Sequence, residues 1–265
     1  MRDVYTHGHH ESVLRSHRWR TAANSAGYLL AHLRPGLDLL DIGCGPGTIT
    51  GDLARRVAPG RVVGLDASAE VIEQARRLGA SGVEFAVGDA YDLDAADASF
   101  DVVHAHQVLQ HLTEPVAAII EARRVLRDGG ILAVRDSDYA GFFWSPGDER
   151  LDRWLGLYHE LTARNGAEAD AGRRLPEWVR QGGFEDITVT SSTWTFADRP
   201  DRQWWGSLWA DRVRQSSYAE QAIASGLSDE AELAAIEAAW RDWIEQPDGL
   251  FVVPSVEVIA RRDER

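Results

Sequence analysis

The chain has 265 residues, 44% of them hydrophobic and 26% charged, enough for one α/β domain with an elaboration, or two small domains, and for a large core. Its formal charge of −14 argues against bulk DNA or RNA as a partner, and its Arg clusters (Arg15, Arg18, Arg20; Arg173, Arg174) are short. All 28 basic residues are Arg, so a lysine Schiff base and a Walker-type phosphate loop are both excluded, and the single Cys44 excludes an intrachain disulfide and a cysteine-based zinc cluster.

No apolar run is long enough to span a membrane, and the first residues lack the apolar core of a secretory signal, so the expected location is the cytoplasm. Residues 1–11 are polar and carry His7, His9 and His10. These read as a solvated tail, or as a lid with His10 facing substrate, rather than as metal ligands; no metal is expected. Apolar positions at helical spacing predict one amphipathic helix over 12–33, closed by Arg34-Pro35-Gly36.

Strand and helix signals then alternate: a strand to Ile42, a helix over 48–57, a strand over 62–65 ending at Asp66, and a helix over 69–78 capped by Ser68. A strand over 83–87, a strand over 100–105, a helix over 115–126 capped by Thr113, and a strand over 131–134 after Gly129-Gly130 continue the pattern. Such alternation predicts an α/β fold with a parallel sheet flanked by helices. Nine of the ten Trp residues lie beyond position 140. Helices are expected over 149–165, 173–181 and 200–245, and strands over 187–196 and 250–260, with Pro254 marking an edge or a bulge.

The chemistry concentrates at strand ends. Asp41-Ile42-Gly43-Cys44-Gly45-Pro46-Gly47 lies where the first strand turns into the first helix, and glycines there let backbone approach a nucleotide-like ligand. Asp66, followed by Ala67, ends the second strand, where a carboxylate can accept two ribose hydroxyls. Asp89 and Ala90 end the third, placed to meet an adenine amino group and ring.

These motifs, with Phe100-Asp101-Val102-Val103, resemble those of class I S-adenosylmethionine-dependent methyltransferases, most closely the group typified by ubiquinone and menaquinone C-methyltransferases. The resemblance covers about residues 12–137 and includes the Gly182-Gly183-Phe184 step; the block from His10 to His17 is similar to that of a bacterial small-molecule subgroup. It implies a Rossmann-like seven-stranded mixed sheet, the last strand antiparallel, with helices on both faces. The chain would then be one methyltransferase domain: an N-terminal lid (1–33), a cofactor-binding half (34–140) and a substrate-side half (141–265) with a helical insertion at about 198–248.

The cofactor so implied is S-adenosylmethionine, leaving as S-adenosylhomocysteine. Asp41, Gly43, Cys44, Gly45 and Gly47 would face its methionine part, Asp66 and Ala67 the ribose, and Asp89 and Ala90 the adenine. The stretch from His106 and Gln107 to His111 would pass the sulfonium, and Arg20 would pair with the carboxylate. Cys44 reads as a small side chain in a tight place, not a nucleophile.

A methyl acceptor needs a base only if it must lose a proton. His106 at the exit of the fourth strand, His111 and Tyr139 are the candidate catalytic groups; His104, deeper in the strand on the same face, reads as a packed histidine. Trp144, Asn165 and Arg174, with His10, are the candidate acceptor-binding residues. Trp204, Trp205 and Trp209 read as core by their helical spacing; were they to face the site, an aromatic or cationic acceptor would suit them. The expected partner is a small-molecule acceptor, with no nucleic acid and no membrane, and a homodimer is compatible with the sequence. A nicotinamide-dependent oxidoreductase and a non-catalytic cofactor-binding protein of the same fold are the competing readings.

Overall fold

The glycine-punctuated alternation of strand and helix folds into one mixed sheet with helices on both faces. The computed structural model describes residues 11–263. Its first half runs β1 (Leu39–Ile42), α3 (Thr48–Val57), β2 (Val62–Asp66), α4 (Ala69–Leu78), β3 (Val83–Val87), β4 (Phe100–His106), α5 (Pro115–Val125) and β5 (Leu126–Ser137), preceded by α1 (Glu11–Trp19) and α2 (Ala22–Ser25). The second half runs β6 (Phe143–Ser145), α6 (Glu149–Arg164), α7 (Ala171–Gln181), β7 (Asp186–Phe196), α8 (Arg199–Gln215), α9 (Ser217–Ala224), α10 (Glu230–Glu245) and β8 (Leu250–Arg261).

The sheet order is β3-β2-β1-β4-β5-β8-β6, with β7 on the other edge of β8. Strands β1 to β5 pair in parallel, and β8 runs antiparallel to β5, β6 and β7. This is the expected sheet plus the three-residue β6, an eighth strand. Successive residues of β1 point to opposite faces, as a strand's period of two requires. Leu39 joins a layer with Leu29, Leu53 and Val57, while Leu40 joins the opposite layer under α5 and α7. A third core, rich in Trp, lies among α6, α8 and α10.

Four expectations about helix bounds and caps are corrected. The single helix over 12–33 is broken into α1, α2 and a 3-10 turn (Gly27–His32). Thr21 breaks it: its hydroxyl accepts from Asn24 N at 3.2 Å and its own N–H donates to Asn24 Oδ1 at 2.8 Å, a reciprocal cap that starts a new helix. Thr113 does not cap α5; Glu114 holds that position without a side-chain bond, and Pro115 supplies the helical φ with no N–H to satisfy. Gly129-Gly130 is not the helix stop: α5 ends at Val125 and β5 begins at Leu126, and the glycines lie in an irregularity of the strand, with Gly129 at φ 74°, before regular pairing resumes at Ile131. The helical stretch over 200–245 is three helices, broken by Ser216 and by Gly226 with its φ of 69°.

Pro254 sits in an interior strand, not an edge one. Its C=O accepts from Asp138 N at 3.1 Å, so its ring nitrogen faces the same flank, where β5 pairing stops at Ser255 and β6 pairing begins at Val252. No ladder bond is lost there.

Candidate active site

A cavity of about 680 Å³ opens where the parallel strands end, bounded on its far side by α8, β7 and the segment after β5. Its floor is the glycine turn. Gly43, Gly45 and Gly47 have φ of 66°, 56° and 81°, a region that side chains rarely enter. A Cβ on Gly43 would stand 2.4 Å from Val108 Cγ2, and one on Gly47 2.5 Å from Phe85 Cζ. A Cβ on Gly45 would instead project into the cavity, 3.7 Å from His17 Nδ1.

The turn is held by buried polar bonds. Asp41 Oδ2 accepts from Thr50 Oγ1 at 2.5 Å, and Asp41 Oδ1 pairs with His104 Nδ1 at 2.7 Å. Although Asp41 borders the cavity, its carboxylate is therefore committed to the sheet and to α3, and His104 is the packed histidine expected. Cys44 N donates to Leu65 O at 2.9 Å, tying the turn to β2. Burial, with the nearby Asp41 and Asp66 charges, pushes the Cys44 thiol up, so it stays protonated.

Asp66 accepts from Gly45 N at 3.1 Å and Ser68 N at 3.0 Å, which aims the carboxylate along the cavity wall. Asp89, exposed, is oriented by Tyr91 N at 2.9 Å. Ala67 and Ala90 complete that wall. Gly47 lies behind the turn against Phe85 and does not line the cavity.

At the exit of β4 the ring nitrogens of His106 are buried and have no hydrogen-bond partner. Burial, helped by the charges of Arg135 and Arg20, holds its pKa well below the usual histidine value, so the ring is neutral. Gln107 follows with a φ of 53°, strained for a non-glycine residue. It accepts from Arg20 Nη2 at 2.5 Å and donates to Ser137 Oγ at 2.6 Å. The break between α1 and α2 is what turns Arg20 inward. Burial lowers His111 to about 3, and its Nε2 accepts from Gln110 Nε2 at 2.9 Å. On β5, burial pushes Asp136 up to about 8.

The far half of the cavity is aromatic. Tyr139 stacks between Phe142 and Tyr158, with centroids at 4.3 and 4.1 Å, and burial raises its pKa. Trp194 donates from Nε1 to Asn24 O at 2.7 Å and lies against Arg135 and Arg20, whose guanidinium carbons are 4.9 and 5.6 Å from its ring. Trp205 and Trp209 are buried in the Trp-rich core and line the cavity too, Trp205 stacked on Phe196 at 4.4 Å. The core reading of these residues thus holds for their far faces only.

Three candidate acceptor residues are not brought to the cavity. Trp144 stacks on Phe251 at 5.6 Å, Asn165 Nδ2 donates to Gln221 Oε1 at 2.7 Å, and Arg174 pairs with Glu177 at 3.0 Å near the surface. His10 lies outside the described residues, as do His7 and His9. In their place the cavity gains Phe142, Trp194, Val253 and Arg212. Arg212 had a signal in the sequence: Trp205, Trp209 and Arg212 fall at i, i+4 and i+7 on α8, one helical face. Its guanidinium lies 4.5 Å over the Trp209 ring and donates to Ser16 Oγ at 3.2 Å. Among the described residues, no group of His, Cys, Asp or Glu is arranged to hold a metal, and no helix is long and apolar enough to cross a membrane.

The family model described as a methyltransferase domain matches residues 33–182, which contain the glycine turn and all five parallel strand ends. The chain belongs to the class I methyltransferase family. It is 30% identical to an uncharacterized methyltransferase of Schizosaccharomyces pombe, over 98% of this chain and 97% of that one. It is 26% identical to a probable methyltransferase of Aspergillus luteorubrus, over 97% and 96% of the two chains. Among solved structures, a putative methyltransferase from Bacillus halodurans superposes with a TM-score of 0.57 at 20% identity, covering 89% of this methyltransferase and 97% of that chain. The activity is S-adenosylmethionine-dependent methyl transfer, and none of these matches favours an oxidoreductase.

Proposed function

We propose that this cavity binds S-adenosylmethionine along the strand ends and a small-molecule acceptor in its aromatic half. The observation that carries the reading is the convergence of the Gly45 backbone, Asp66, Asp89, Arg20 and His106 on one cavity at the carboxyl edge of a parallel sheet. The residues fit the cofactor: Gly45 leaves open the space its Cβ would fill, and Asp66 is aimed by two backbone N–H groups with acceptor capacity left for ribose hydroxyls. Asp89 with Ala90 would hold the adenine, and Arg20 the carboxylate.

When bound, the cofactor supplies a methyl group on a sulfonium, an electrophile that needs no acid to activate it. The chain's task is then to hold the acceptor in line and exclude water, which in favourable cases contributes roughly 7–11 kcal/mol. His106 lines the junction of the two halves as a neutral ring whose nitrogens are buried and whose pKa is held low, so the site best suits an acceptor that does not need to lose a proton to it. Gln107, bonded to both Arg20 and Ser137, fixes the backbone beside it. His111 and Tyr139, both neutral, line the same junction, and Tyr139 is held rigid by its stacked neighbours.

Calorimetric titration with S-adenosylmethionine and S-adenosylhomocysteine tests the reading. Wild type is expected to bind at micromolar Kd and Asp66→Ala at least tenfold more weakly, about 1.4 kcal/mol. A folded wild-type protein that binds neither ligand would overturn it.

A further inference from the structure

We infer that Gln107 is a positioning residue for Arg20: its amide aims the guanidinium at the cofactor carboxylate without neutralising it, and so sets how strongly the site reads the amino-acid end of the cofactor. The inference rests on the reading of the strand-end half as the S-adenosylmethionine site. Gln107 occupies a backbone conformation that its side-chain type avoids, with φ at 53°. Among the described residues one other non-glycine residue has a positive φ, Ala98, which lies before β4 and does not line the cavity. Glycine enters that region at no steric cost, so what a glutamine adds there is its side chain.

The amide has one workable orientation. A guanidinium can only donate, so Gln107 Oε1 faces Arg20 Nη2 at 2.5 Å, and Nε2 is left to donate to Ser137 Oγ at 2.6 Å. Ser137 stands opposite Ser255 in the β5–β8 pair, with their hydroxyls 3.4 Å apart, so the amide is anchored on the sheet itself. Arg20, by contrast, stands at the break between α1 and α2, on a long side chain with many rotamers. The Trp194 ring meets it as well, 5.6 Å from its guanidinium carbon, and is itself fixed by Nε1 donating to Asn24 O at 2.7 Å.

An amide suits this task better than a carboxylate. A carboxylate at this position would hold Arg20 as firmly but compensate its charge, leaving less of it for a second carboxylate. The neutral Gln107 oxygen occupies one guanidinium N–H and leaves the charge, and the remaining donors, to form charge-assisted bonds with the cofactor.

The test compares two ligands on the full chain by calorimetry: S-adenosylhomocysteine, and 5′-methylthioadenosine, which keeps the adenosine and sulfur but lacks the carboxylate and amine. Gln107→Gly relieves the φ and removes both side-chain bonds. Gln107→Glu keeps an acceptor for Arg20 and, with the Ser137 hydroxyl turned to donate, both contacts. Each variant is expected to weaken S-adenosylhomocysteine about tenfold while 5′-methylthioadenosine stays within about twofold of wild type. Were Gln107 only a brace for the loop, Gln107→Glu would bind S-adenosylhomocysteine like wild type, and Gln107→Gly would weaken both ligands alike or neither; any of these results would overturn the inference. Cooperative urea unfolding checks that Gln107→Gly is folded, and if it is not, Gln107→Glu decides alone. Wild type that binds both ligands equally would overturn the Arg20 assignment and the inference with it, whereas wild type that binds neither would overturn the cofactor reading.

Discussion

The two halves of the cavity are built by different means. The strand-end half is made of backbone: glycines at positive φ, and carboxylates oriented by N–H groups of the next turn. The aromatic half is made of side chains from β7, α8 and the segment after β5, stacked on one another and on a buried core. The first half can present one arrangement, since moving it means moving strands. The second can change its specificity by exchanging rings while the sheet stays as it is. On the proposed reading, a shared methyl-donor site is thus combined with an acceptor site particular to this chain.

The sharpest way to break the comparison is to change one side chain in each half. Gly47→Val places a β-branched residue at φ 81° and against Phe85, whose Cζ would be 2.5 Å from the new Cβ. A stability loss of about 3 kcal/mol or more is expected, with S-adenosylhomocysteine binding abolished, by urea unfolding and calorimetry. Trp209→Phe, at a position equally buried, is expected to cost only about 1–2 kcal/mol and to leave cofactor affinity within twofold. A larger cofactor effect for Trp209→Phe would mean that the halves are not separable.

Protonation gives a finer contrast. His106 and His111 have folded pKa values below the unfolded value of about 6.5. Their contribution is present above pH 6.5 and is lost as pH falls, for His111 toward about 3. Asp136 is the reverse: raised to about 8, its contribution is present at low pH and is lost as pH rises toward that value. Between pH 6.5 and 8 the Asp136 effect should dominate, at up to about 1.4 kcal/mol per pH unit. Asp136→Asn should therefore gain stability relative to wild type over that interval, by denaturant unfolding at both ends; a constant difference would refute the buried, protonated carboxyl.

The smallest effect is expected far from the cavity. Arg127 bridges Asp38 at 2.8 Å and Asp101 at 2.6 Å with its side chain 39% exposed. Arg127→Ala should cost below about 1 kcal/mol in Tm-derived stability and leave ligand binding unchanged.

Much of the sheet is legible in the sequence. The bounds of α3, α4 and β3 agree residue for residue with the spacing of apolar and capping residues, and Ser68 caps α4 as expected through Val71 N at 3.3 Å. Errors arose where two local signals competed. Apolar spacing carried the N-terminal helix through Thr21, where a reciprocal side-chain cap prevails. Gly129-Gly130 looked like punctuation and lies within a strand. Trp144 stands after β5, and Asn165 and Arg174 offer polar contacts further along the chain, yet each is engaged by a neighbour that the sequence pattern does not reveal.

By itself the sequence determined the strand-end half. In a parallel sheet every strand exits at the same edge, so knowing that Gly43, Asp66, Asp89 and His106 each follow a strand is enough to bring them together. Only the tertiary structure decided which Trp faces reach the cavity, that Arg212 and Arg20 share it, and that His106, His111 and Asp136 are held in their neutral forms. Those properties are sums over neighbours distant in the chain, and desolvation in particular exists only once the surrounding residues have closed around the group.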